Sequence, residues 1–166
     1  MKKTLLAVAL ASSLTSFGAV AADKAPEPSY TIAGNFGLVS DYRFRGASQT
    51  NNMPALQGGF DFSHKSGAYI GTWLSNVSQW ANAGGSQEID YYGGYKFSVG
   101  PVGLDIGAIA YTYPKNTAAT PNATNEFYIG ASYGPVSYKI SQATGNWFGI
   151  TSDGAVARQW RCGPLR

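Results

Sequence analysis

The sequence has one cysteine, Cys162, and one histidine, His64, in 166 residues. A single residue of each kind cannot build a zinc site, and a lone cysteine closes no disulfide within the chain. There is no Gly-x-Ser-x-Gly elbow and no glycine-rich phosphate loop ahead of a lysine. His64 lies beside Lys65, where a histidine is usually a solvated turn residue despite its titration range. No catalytic, cofactor-binding or metal-binding residue is therefore expected, and the chain does not read as an enzyme.

Charge is also scarce, at 13% of residues. The pI of about 9.0 overstates the basicity of the body. Lys2 and Lys3 sit at one end, and Arg158, Arg161 and Arg166 at the other. Between Asp23 and Ser152 there are seven Lys/Arg and eight Asp/Glu, with no clustered cationic stripe. Nucleic acid is excluded as a partner on that ground. No segment after the N-terminus has the ~20 uncharged apolar residues that a transmembrane helix requires. A helical membrane protein is excluded too.

What is present begins with an address. Lys2 and Lys3 precede an apolar stretch from Leu5 to Leu14, and Val20-Ala21-Ala22 fits a small-residue cleavage site before Asp23. Residues 1–22 are expected to be an export signal. Residues 23–29, with two prolines, read as a short periplasmic lead-in. The body, residues 30–152, holds abundant glycine and tyrosine, a composition that suits strands better than helices.

Residues 30–45 show the pattern most clearly. Tyr30, Ile32, Phe36, Leu38, Tyr42 and Phe44 fall on one face, against Thr31, Asn35, Asp41, Arg43 and Arg45 on the other. Residues 87–99 repeat it, with Ile89, Tyr91, Tyr95, Phe97 and Val99 opposite Glu88, Asp90, Lys96 and Ser98. Weaker alternation occurs at 55–64, 125–133 and 136–142, while 68–77 and 102–113 are apolar on both faces and their facing stays open. Seven strands are expected. Their connections alternate between tight turns, at 65–67, 100–101 and 134–135, and longer polar loops, at 46–54, 78–86 and 114–124. Short turns at one end and long loops at the other characterise outer-membrane barrels. A soluble antiparallel barrel also alternates, but it needs a charged exterior that so few charges cannot cover. Tyrosines at strand ends further suit an interfacial aromatic girdle.

The run from Gly34 to Gly46, containing Ser40-Asp41-Tyr42-Arg43-Phe44-Arg45-Gly46, closely resembles the opening strand of the TorF-family porins. Ser48-Gln49-Thr50, Pro54-Ala55-Leu56-Gln57-Gly58-Gly59 and Glu88-Ile89-Asp90-Tyr91-Tyr92-Gly93-Gly94-Tyr95 are similar to that family as well. The likeness extends over about residues 30–150. It implies an exported proteobacterial protein of the Gram-negative outer membrane, and it brings no catalytic residues. Residues 153–166 depart from the family pattern. They lack clean alternation, carry the lone cysteine and read as the product of a truncated or frameshifted frame.

The expected fold is thus an all-β, antiparallel, up-and-down transmembrane β-barrel, incomplete at about seven strands, behind a cleaved signal peptide. Candidate lumen-lining residues are Asp41, Arg43, Arg45, Asp61, Glu88, Asp90, Lys96 and Lys139. Mixed-sign charges lining a lumen would tune solute selectivity; in an eight-stranded barrel they would instead pair and fill the interior. Two functions remain open: a porin-like channel for passive diffusion of small polar solutes, or a closed barrel serving structure or surface contacts. The expected partners are outer-membrane lipid, small polar solutes in the channel reading, and further copies of the chain if association completes the barrel.

Overall fold

The computed structural model describes residues 28–78, 85–117, 122–145, 147–148 and 156–162. The expected export signal, most of the lead-in and the middles of two long loops lie outside the described residues. Among the described residues no helix is long and apolar enough to cross a membrane.

The chain is all-β. Its main strands are β1 (Tyr30–Val39), β4 (Ala55–His64), β5 (Ala68–Asn76), β6 (Gln87–Val99), β7 (Val102–Thr112), β8 (Thr124–Tyr133), β9 (Val136–Ala143) and β10 (Val156–Cys162). They form one eight-stranded antiparallel sheet in the order β1-β4-β5-β6-β7-β8-β9-β10. Each main strand pairs with the next in the chain, and β2 (Arg43–Phe44) and β3 (Ala47–Ser48) make a separate small hairpin. The tight turns fall where glycine and proline predicted them. Gly67, Gly100 and Gly134 take φ of 102°, 56° and 53°, angles that glycine adopts without steric cost.

Two expectations are corrected. The first strand ends at Val39, not at residue 45. Asp41 accepts hydrogen bonds from the hydroxyls of Ser48 and Thr50, and the Tyr42 amide donates to Thr50 Oγ1. Such local side-chain bonds compete with the sheet ladder, and the chain turns back through Arg45 at φ 49° and Gly46 at φ 90°. Second, the strands of the sheet number eight rather than seven. Val156–Cys162 pairs with β9 in register, Val156 opposite Gln142 and Cys162 opposite Val136. Main-chain pairing along an open edge needs no side-chain alternation, so the atypical tail adds a strand that its sequence pattern conceals. β1 and β10 are the two edges of the sheet, and no pairing joins them among the described residues.

The two faces are inverted relative to an ordinary soluble sheet. Phe36 and Leu38 are 78% and 73% exposed, and Ile32, Phe60, Ile70 and Phe127 are exposed on the same side. On the opposite, inner face Glu88 and Glu126 are each 1% exposed, and Ser75, Asp90, Thr124 and Ser141 are buried with them. Register settles the two ambiguous strands. Asp61, Gly71, Tyr92, Ile109 and Glu126 form one cross-strand row, which places the odd-numbered residues of β5 and β7 on the inner face.

Candidate functional site

The inner face carries polar chemistry at two levels, one near the long loops and one near the tight turns. Near the turns, Tyr69 of β5 and Tyr128 of β8 reach across the strands between them. Their hydroxyls meet, and that of Tyr69 donates to Asp105 Oδ1 at 2.6 Å. The space they cross is left by glycines. A Cβ on Gly94 would stand 2.6 Å from the Tyr69 hydroxyl, and one on Gly107 2.5 Å from that of Tyr128. Lys96 lies over the Tyr69 ring at 4.6 Å and Lys139 over the Tyr128 ring at 3.5 Å, both within cation–π range. Beside them opens a cavity of about 540 Å³ lined by Lys96, Ser98, Asp105, Ser132, Lys139 and Gln159, among others. Between the two levels Tyr92 donates to Asp61 Oδ1 at 2.6 Å, above the gap left by Gly71.

Near the loops the face is roofed by the β2–β3 hairpin. Arg45 projects from it and bonds Glu126 through both terminal nitrogens, at 3.0 and 2.8 Å. This two-point geometry is the strong form of a guanidinium–carboxylate pair. Trp147 Nε1 donates to the same carboxylate at 3.3 Å. Phe44 packs edge-on against Tyr111 and Phe148, with centroids 5.6 and 5.3 Å away. Tyr42 donates to Glu88 Oε1 at 3.0 Å and meets the Trp73 ring at 5.2 Å. Tyr113 lies beside Glu88 as well. Burial first, and then the negative charge of Glu88 and Asp90, push the Tyr42 and Tyr113 hydroxyls well above their ordinary value, so both stay neutral.

Asp41 anchors the hairpin itself. The Ser48 hydroxyl at 2.5 Å is the main reason its carboxyl sits below the ordinary range, with Thr50 and Arg43 adding to the effect against the opposing cost of burial. Arg43 pairs with Asp41 at 2.7 Å but is largely exposed, and it also binds Gly46 O and Asn52 Oδ1. It supports the hairpin from outside.

Of the eight candidates, Asp61, Glu88, Asp90, Lys96 and Lys139 share the inner face of the sheet, Arg45 reaches that face from the hairpin, and Asp41 and Arg43 remain in the loop that carries it. Sequence reasoning did not nominate Glu126, Asp105, Tyr69, Tyr92, Tyr128 or Trp147. Glu126 was legible, as a charge on the polar face of its strand. Asp105 and Tyr69 were hidden because their strands look apolar on both sides. Among the described residues no cluster of three or more His, Cys, Asp or Glu is placed to hold a metal ion.

No match is found among curated proteins or among solved structures. A family model described as "Bacterial protein of unknown function (Gcw_chp)" matches residues 23–159, most of the chain and nearly all of the sheet. The chain belongs to the Gcw_chp family of bacterial proteins.

Proposed function

We propose that this chain is an exported outer-membrane β-barrel protein that admits small polar solutes along its inner face, as a porin does. One observation carries the reading: large apolar side chains are exposed while carboxylates are buried. A sheet whose exterior is Ile32, Phe36, Leu38, Phe60 and Phe127 suits lipid, and its buried polar face suits a water-filled or side-chain-filled lumen. The strand lengths, mostly 8 to 13 residues, suit tilted strands crossing a bilayer. Unpaired backbone groups in lipid cost several kcal/mol each, so insertion requires partners for the edges β1 and β10, from further strands or another copy.

The test has two stages. Outer-membrane fractions run on a gel with and without boiling should show a faster unboiled band, the mark of a folded barrel. Purified protein in planar bilayers should then conduct, and Asp61→Asn or Lys96→Gln should shift its ion selectivity in opposite directions. Conductance indistinguishable from protein-free bilayers would sink the channel reading.

A second reading is favoured by the roof. The Arg45–Glu126 pair and the Phe44, Tyr111 and Phe148 rings fill the loop end of the inner face. In a barrel of about eight strands the interior is just wide enough for side chains. On this reading the barrel is closed, and its loops are contact surfaces. A heat-modifiable band without conductance would select it.

A further inference from the structure

Glu88 and Asp90 stand two residues apart on β6, so both side chains leave the same face, about 7 Å apart along the strand. Glu88 is 1% exposed and Asp90 5%. Tyr42 holds Oε1 of Glu88, but Oε2 of Glu88 and Oδ1 of Asp90 are buried with no hydrogen-bond partner. Arg45, the cation folded over this end of the sheet, already commits both terminal nitrogens to Glu126. Buried carboxylates are normally paired, or they coordinate a metal ion. Here two adjacent ones each turn an open oxygen into the interior.

The surrounding donors are oxygens too. Ser75 pairs with Glu88 across the strands and is itself buried. Its hydroxyl donates to Asn76 O at 3.0 Å and accepts from Gln57 Nε2 at 3.4 Å, which leaves one lone pair for a further partner. The Tyr42 hydroxyl fixes Glu88 in place. We propose that Glu88 and Asp90 form a binding site for a hard divalent cation, with Ca²⁺ the best match.

Two carboxylates balance its charge. Ca²⁺ accepts irregular oxygen geometry and completes its shell with water, whereas Mg²⁺ demands a near-ideal octahedron. The expectation that no metal would bind rested on histidine and cysteine spacing, which speaks to transition metals and not to an oxygen-lined pair. The site requires neither conduction nor membrane insertion.

The experiment uses the full chain folded in detergent, stripped with EDTA and titrated with Ca²⁺ at constant ionic strength. Trp73 lies opposite Asp90 in the register and against Tyr42, so its fluorescence reports on the site. A saturable fluorescence change and a rise in melting temperature are expected with Ca²⁺ and not with Na⁺. Asp90→Asn should weaken the affinity at least about tenfold, and Glu88→Gln with Asp90→Asn should abolish it. These amide variants remove like-charge repulsion, so they should fold at least as well as the parent without Ca²⁺. Tb³⁺ luminescence sensitised by Trp73 and displaced by Ca²⁺ tests the unaltered chain. No sensitised emission, no saturable Ca²⁺ response, or an unchanged affinity in the double variant would overturn the proposal.

Discussion

The loop end and the turn end of the inner face are built on the same strands, yet one is covered and the other open. At the loop end a hairpin folds over the sheet, Arg45 clasps Glu126, and Glu88 and Asp90 are shut in. At the turn end no segment among the described residues crosses the face. Tyr69 and Tyr128 lie over glycines, Tyr69 bonds Asp105, and Lys96 and Lys139 stand beside a cavity of about 540 Å³. The alternation of strand residues is alike at both ends. The difference comes from a loop, and it teaches that polar faces with the same pattern can become a sealed network or an accessible surface.

The largest effect should come from unclasping the roof. Arg45→Ala leaves Glu126 buried with, among the described residues, only the Trp147 hydrogen bond and should cost about 3 kcal/mol in unfolding experiments. Adding Glu126→Gln should recover much of that loss. If Arg45→Ala melts like the parent, the hairpin is not held by this pair and the two ends differ less than described.

Next comes the glycine bed at the turn end. A Cβ on Gly107 would lie 2.5 Å from both Gly93 O and the Tyr128 hydroxyl, whereas one on Gly37 would meet nothing within 4 Å. Gly107→Ala should therefore destabilise by about 1–3 kcal/mol, and Gly37→Ala should be near neutral. Equal melting of the two variants would mean that the tyrosines do not lie where the glycines leave room.

A smaller loss is expected from Tyr69→Phe, which removes a hydroxyl from Asp105 and Tyr128. It should cost about 1 kcal/mol, less than a fully buried pair because water reaches this end. Thermal melts of Tyr69→Phe beside Arg45→Ala would rank the two ends directly.

The least effect is a pH response of the hairpin. The folded-state pKa of Asp41 is lowered from the ordinary 3.8. Its stabilisation is therefore fully present above that value and is lost as pH falls through the lower folded-state value. Pepsin cleavage or hydrogen exchange in residues 40–52 should accelerate in that acid window and not between pH 5 and 7. In Asp41→Asn this acid dependence should vanish.

Much of the sheet was legible. Residues 55–64 and 87–99 coincide with β4 and β6, because a strand with one apolar and one polar face has a clear period of two. Three tight turns were legible because glycine at positive φ leaves a local signature. The facing of β5 and β7 was not, since Tyr69, Trp73, Ile109 and Tyr111 read as apolar although three of them carry polar groups. The turn at Asp41 was hidden within an alternating run, because its hydrogen bonds to Ser48 and Thr50 depend on residues seven and nine positions onward.

By itself the sequence determined the class of fold, the strand spacing and the shared face of Glu88, Asp90 and Lys96 on one strand, because those follow from local alternation and turn chemistry. Only the tertiary structure decided that Arg45 meets Glu126, that Tyr69 meets Tyr128, and that Glu88 and Asp90 are buried under Tyr42. Those contacts join residues 81, 59 and 46 positions apart. They depend on how the sheet curls and where a loop folds back, and neither leaves a trace in the neighbouring sequence.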